Sequence, residues 1–345
     1  MYFNDLVEKA IALSASDLHI SLDAKIAFRW PNGDLHFDAS LAPTTGEDLQ
    51  ALFKILPEKS QSTFERTHRY DAAVTLGGGQ RIRLRLSKHH RGWAVACRLL
   101  PRKFRTLAEI KAPAAIQRSL QDQSGLIIVS GPTGSGKSST LAAMIGEINQ
   151  TQRRRIVTAE DPIEYEHESD LSLVTHKEIP RDVASFEDAV LDSMREDANV
   201  VMLGELRDAR ALRAAVTAAD TGMLVLATVH ARNTAGAVQR LVDAFPPGEK
   251  ELARSMLADS LRLFVAQALV KTNDGANRVG AFETLVNTPA VRNLIRTGDL
   301  AQLPSVIQTG AGDGMMTLKQ SIDGLKRTGL VHHEDADRIL RGRHG

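Results

Sequence analysis

The stretch Gly131-Pro132-Thr133-Gly134-Ser135-Gly136-Lys137-Ser138 fits the pattern G-x-x-x-x-G-K-[ST]. An apolar run, Leu126-Ile127-Ile128-Val129, precedes it, and a helix-compatible segment from Ser139 to Ile148 follows. That strand–loop–helix context separates a phosphate-binding loop from a chance match. Glycines let backbone N–H groups converge on phosphate oxygens, and the following helix adds the positive end of its dipole. Gly131 through Ser138, with Ser139, are therefore the candidate nucleotide contacts. Lys137 is expected to reach the β- and γ-phosphates and Ser138 to hold Mg²⁺. The stretch predicts that a nucleoside triphosphate binds. What the nucleotide drives has to be read elsewhere.

The chain has 345 residues, enough for two domains. Apolar residues make up 43% and charged residues 25%, ordinary values for a globular protein. Lys and Arg number 43 against 42 Asp and Glu. A balance so near zero argues against broad nucleic-acid binding, which needs a basic footprint. The single cysteine, Cys97, excludes an internal disulfide and a four-cysteine zinc site; it reads as a small core residue. No run approaches the length of a transmembrane helix. Met1-Tyr2-Phe3-Asn4-Asp5 has no basic n-region, so no secretory signal is expected. The expectation is a cytoplasmic protein whose membrane association, if any, goes through a partner.

Residues 1–100 read as a small α+β domain. Leu6, Val7, Ala10 and Ile11 fall at helical spacing, Asp17–Leu22 alternates as a strand does, and Glu47–Ile55 looks helical. Gly77-Gly78-Gly79 marks a hairpin turn. The strand after it carries Ile82, Leu84 and Leu86 on one face and Arg81, Arg83 and Arg85 on the other. Residues 101–115, bracketed by prolines, are the expected linker. From 116 onward nearly continuous apolar runs alternate with helices: Leu126–Ser130, Ile156–Ala159, Val200–Leu203 and Leu224–Thr228. Strands buried on both faces have that composition, so the larger domain is expected to be α/β with a mostly parallel sheet. Beyond Pro246-Pro247 the residues Leu252, Met256, Leu257, Leu261, Phe264 and Ala268 step at helical intervals. A helical extension over about 250–345 is expected, with further helices near 288–297 and 318–327.

Hydrolysis of a triphosphate needs metal ligands, a group that orients water, and cations for the charge developing on the γ-phosphoryl. Open α/β sheets place such groups at strand ends. Glu160-Asp161-Pro162 follows one apolar run and suits Mg²⁺ or its waters, or else a capping acid in a proline turn. Glu205 ends another run, after Gly204; a glutamate there suits activation of the attacking water. His230 ends a third and could sense the γ-phosphate or be structural. Arg81, Arg83 and Arg98 could neutralise phosphate charge or lie on a solvated sheet face, the better reading for Arg85.

Taken together these residues resemble the type II secretion and type IV pilus ATPases. Ala15-Ser16-Asp17-Leu18-His19 is similar to the family's N-terminal signature, and Glu160-Asp161-Pro162-Ile163-Glu164 to its Asp box. Gly204-Glu205-Leu206-Arg207-Asp208 resembles its Walker B region, and Ala227-Thr228-Val229-His230 its His box. Val291-Arg292-Asn293-Leu294-Ile295-Arg296 resembles the C-terminal motif of the retraction motors within it. The resemblance implies a PAS-like N-terminal domain, a RecA-like P-loop NTPase domain and C-terminal helices. It implies a homohexamer that spends ATP, with Mg²⁺, on pilus retraction and acts on an inner-membrane platform protein. Glu205 would then be the general base, Lys137, Glu160 and His230 would complete the site, and Arg81 and Arg98 would contact phosphate. The chain departs from the family at His230-Ala231-Arg232-Asn233, where a basic residue follows the histidine, and at Arg85, where an asparagine is common. Export by a related secretion or conjugation ATPase, pilus assembly, a nucleic-acid translocase and an idle nucleotide-binding subunit remain alternatives. The 4% aromatic content and neutral charge disfavour the translocase.

Overall fold

A computed structural model describes residues 3–56, 58–76, 79–100, 103–275 and 277–341. Contacts divide the chain into two units, Met1–Lys103 and Phe104–Gly345.

The smaller unit runs α1 (Phe3–Ala12), β1 (Asp17–Ser21), β2 (Ala27–Arg29), β3 (Leu35–Phe37), α2 (Gly46–Ile55), α3 (Glu58–Thr67), β4 (Arg69–Thr75), β5 (Arg81–His89) and β6 (Gly92–Leu99). Its sheet is antiparallel with strand order β3-β2-β1-β6-β5-β4. Helix α1 buries Phe3, Leu6, Val7 and Ala10, while Ile11 is exposed. Thr45 and Asp48 close a capping box that starts α2. In β5 the alternation places Ile82, Leu84 and Leu86 in the core and turns the arginines outward. Cys97 is buried in the same core. Helix α3 had no apolar period to announce it, and Phe64 is its buried anchor. Gly77 and Gly78 of the expected hairpin turn lie outside the described residues.

The larger unit runs α4 (Ala114–Ser119), β7 (Gly125–Ser130), α5 (Lys137–Thr151), β8 (Arg155–Glu160), β9 (Leu173–Glu178), α6 (Phe186–Arg195), β10 (Val200–Leu203), α7 (Ala209–Asp220), β11 (Leu224–Val229) and α8 (Thr234–Asp243). Then come α9 (Lys250–Ser260), β12 (Leu261–Lys271), β13 (Arg278–Val286), α10 (Pro289–Thr297), α11 (Leu303–Thr309), α12 (Leu318–Arg327) and α13 (His333–Arg341). The sheet order is β13-β12-β7-β11-β10-β8-β9, parallel except for the β12–β13 pair. The four expected apolar strands are β7, β8, β10 and β11. Each has its apolar residues fully withdrawn from solvent, because helices cover both faces.

One expectation fails. The run from Leu252 to Ala268 is not a single helix: α9 ends at Ser260 and the chain continues as β12. Leu261, Leu263, Phe264, Val265 and Ala266 are buried on both faces of that strand. A doubly buried strand satisfies helical and extended templates equally, so periodicity could not separate them. The segment after 250 therefore contributes a β-hairpin to the sheet before its helices.

Parallel register decides where the site forms. Ser130 pairs with Val229, and Leu203 pairs with both Ala159 and Ala227. The residues at or just beyond these strand ends, Gly131, Glu160, Asp161, Gly204, Glu205 and His230, therefore emerge along one edge of the sheet.

Candidate nucleotide site

The loop between β7 and α5 is shaped by its glycines. A Cβ at Gly131 would lie 2.3 Å from Ser135 Oγ and 2.6 Å from the Gln267 carbonyl oxygen. Gly136, the residue before α5, has φ +89°, and a Cβ there would lie 2.8 Å from Gln267 Nε2. The loop thus holds a left-handed turn and a close backbone approach that side chains would block. Ser135 is buried, and its Oγ makes no hydrogen bond among the described residues. An orphan hydroxyl beside convergent backbone donors at the start of a 15-residue helix suits a phosphate oxygen.

Lys137 is only 8% exposed. Its ammonium donates to the carbonyls of Gly131 (3.0 Å) and Pro132 (3.1 Å) and lies 3.4 Å from His230 Nδ1. Burial pulls its pKa down, while the Glu205 and Glu164 carboxylates act in the opposite sense. From Lys137 a hydrogen-bonded chain crosses the sheet edge. His230 Nε2 is 3.1 Å from Glu205 Oε1, Arg207 Nε donates to Glu205 Oε2 at 2.9 Å, and Arg207 Nη1 donates to Asp161 Oδ2 at 3.2 Å. With Lys137 donating to Nδ1, the His230 proton sits on Nε2 and faces Glu205. Both Glu205 oxygens are therefore engaged.

Glu160 is 6% exposed, and its Oε2 accepts the Glu164 backbone N–H at 3.1 Å. With Ser138, Tyr165, His167 and Gly204 it lines a cavity of about 20 Å³, room for a single water. Among the described residues no cluster of three or more His, Cys, Asp or Glu side chains is arranged to hold a metal ion.

The structure thus brings Gly131–Ser139, Lys137, Glu160, Asp161, Glu205 and His230 together. Arg81 and Arg98 belong to the smaller unit, on β5 and β6. There Arg98 Nε donates to Asp17 Oδ1 at 2.8 Å, and Asp71 accepts from both Arg83 and Arg85. These carboxylates offset the repulsion between Arg83 and Arg98, which pair across β5 and β6.

Three residues around the loop carried no readable signal, and the partners of a fourth were hidden. Gln267 Oε1 accepts the Thr140 hydroxyl at 2.7 Å from β12, which read as helix. Tyr165 OH is 2.8 Å from Ser139 Oγ, and burial raises its pKa. His167 packs between Phe104 (ring centroids 4.4 Å) and His176 (5.9 Å), and burial lowers its pKa to about 4. Arg207 was visible in the Gly204–Asp208 stretch, but its two carboxylate partners come from different strand ends.

The model of the type II/IV secretion system protein family matches residues 1–309. A twitching motility protein of Neisseria gonorrhoeae is 41% identical, covering 92% of this chain and 86% of that one. The type IV pilus retraction ATPase PilT of Pseudomonas aeruginosa is 39% identical over 97% of each chain. The crystal structure of the pilus retraction motor PilT with bound ADP superposes with a TM-score of 0.87 at 35% identity, over 98% of this chain and 97% of that one. The larger unit thus has the RecA-like α/β ATPase fold. The extent of these matches, laid over a phosphate loop ringed by acids and a histidine at strand ends, places the chain in the type II/IV secretion system protein family.

Proposed function

We propose that this protein is an ATP-hydrolysing motor that drives type IV pilus retraction. The observation that carries the reading is the hydrogen-bonded chain Lys137–His230–Glu205–Arg207–Asp161 set against the phosphate loop. Its near full-length likeness to retraction ATPases supplies the pilus.

In this mechanism the loop N–H groups and the α5 terminus hold the phosphates. Lys137 exchanges its bonds to the Gly131 and Pro132 carbonyls for β- and γ-phosphate oxygens, which its partial desolvation favours. Glu205 accepts the proton of the attacking water, and His230 stands between that carboxylate and Lys137 as a reporter of the γ-phosphate. Ser138 and Glu160 line one small cavity together with Leu141, Ala142, Tyr165, His167, Met202 and Gly204; their hard oxygens, with Asp161 nearby, are the donors that would hold Mg²⁺. The ion, when bound, neutralises charge on the phosphates. Arg81 and Arg98 of the smaller unit supply further cations to the phosphates. That unit reads as PAS-like, with helices beside an antiparallel sheet of order β3-β2-β1-β6-β5-β4.

The protein works as a homohexamer in the cytoplasm, at the inner face of the inner membrane, against a platform protein embedded there. Hydrolysis drives a rigid-body change in each subunit, and the ring makes it directional. Among the described residues no helix is long and apolar enough to cross a membrane. Deleting the gene tests the assignment. Cells that keep and accumulate surface pili without retracting them support it. A bald strain would mean assembly, and intact retraction with failed protein export would mean a secretion motor.

A further inference from the structure

The carboxylate carrying the chemistry is not held by its own backbone alone. Glu205 sits at the end of β10, where a glutamate side chain has three rotatable bonds and is 20% exposed. Two groups restrain it. His230 takes Oε1 from β11, and Arg207 takes Oε2 from the same loop. Arg207 is itself anchored, through Nη1, on Asp161 beyond β8. A guanidinium is a planar fork of fixed geometry, so bonds from Nε and Nη1 set the separation of the two carboxylates they hold. A lysine in its place carries the charge on one point and cannot span both. Lys137, Glu160 and Glu164 lie on the phosphate-loop side of this cluster, and Asp208, Arg240 and Asp243 line the groove beside Arg207.

We propose that Arg207 is a positioning residue: it braces Glu205 against Asp161, fixing the base relative to the metal-side acid. The proposal rests on the ATP-hydrolysis reading above. Its consequence falls on the chemical step and not on nucleotide binding. Arg207 contacts neither the phosphate loop nor Lys137 by any hydrogen bond shown, while misplacing a base by about 1 Å can cost a hundredfold in rate. Arg207 also lines a groove of about 270 Å³, with Asp208, Arg240 and Asp243 at its polar side, through which a small cation can reach the position.

The test uses the full-length hexamer, with steady-state ATP hydrolysis and binding of a fluorescent ATP analogue measured on the same samples. Arg207→Ala is expected to lose about 10- to 100-fold in kcat, with KM and analogue affinity within about twofold of wild type. Added guanidinium should restore turnover to Arg207→Ala. Arg207→Lys should remain slow and gain nothing from guanidinium. Unchanged kcat in Arg207→Ala overturns the proposal. So does a parallel loss of affinity and kcat, which marks a structural role, and so does failure of guanidinium to rescue. Glu205→Gln keeps the two levels apart. If it loses turnover while Arg207→Ala keeps it, only the bracing role falls. If wild type binds the analogue but does not hydrolyse ATP, the enzymatic reading falls and the proposal with it.

Discussion

Replacing Gly131 by alanine tests whether the phosphate loop is limited by space. The new Cβ would stand 2.6 Å from the Gln267 carbonyl oxygen, a backbone atom in the middle of β12, and 2.3 Å from Ser135 Oγ. The hydroxyl can rotate away, but the carbonyl cannot. Gln267 pairs with Phe282 on β13, and its neighbour Ala266 pairs with Ser130 on β7. Carbon and oxygen need about 3.4 Å, so the loop must retreat by about 0.8 Å from a strand fixed on both sides. Overpacking of this kind costs about 1–3 kcal/mol. For a unit of this size that lowers the melting temperature by about 2–12 °C. The retreat also moves the N–H groups aimed at phosphate. Losing one charge-assisted hydrogen bond, worth about 1.5–3 kcal/mol, weakens nucleotide binding about 10- to 150-fold. Calorimetric titration with ADP and a thermal melt read both effects. Gly248→Ala is the control, because a Cβ there meets nothing within 4 Å. Wild-type affinity and melting temperature in Gly131→Ala would refute the argument.

Phe264→Ala, at a fully buried position of β12, should cost about 3–5 kcal/mol through the cavity it leaves; chemical denaturation measures it, and a loss under 1 kcal/mol would contradict the packing described. His167 makes stability depend on pH. Its folded pKa, about 4, lies below the ordinary 6.5, so the unfolded chain binds the proton more readily. Its contribution is complete above pH 6.5 and is lost as pH falls from there toward 4, a difference on the order of a few kcal/mol. His167→Phe should flatten that part of the melting-temperature profile, and an unchanged slope would show that other groups set it.

Most of the candidate site was legible because phosphate chemistry leaves local marks. The glycines, Lys137 and Ser138 are adjacent in sequence, and Glu160, Glu205 and His230 each end an apolar run that buried parallel strands require. What stayed hidden depends on distant pairing. Strand β9 (Leu-Val-Thr-His-Lys-Glu) is a half-polar edge that no alternation marks. The β12–β13 hairpin is so thoroughly buried that its pattern fits two periods. Gln267 reaches the loop only because β12 lies beside β7, and Arg207 gains its meaning from a carboxylate 46 residues away.

We propose Glu205 as the base of an ATP-hydrolysing site built on this loop. The most direct measurement is ATP turnover and nucleotide affinity of Glu205→Gln beside wild type. The amide keeps the size, and its one oxygen can still accept from Arg207 or from His230 but not from both, and it takes up no proton. Nucleotide affinity is expected to stay at the wild-type level while turnover falls by about 100-fold or more. Near-normal turnover in Glu205→Gln would contradict it.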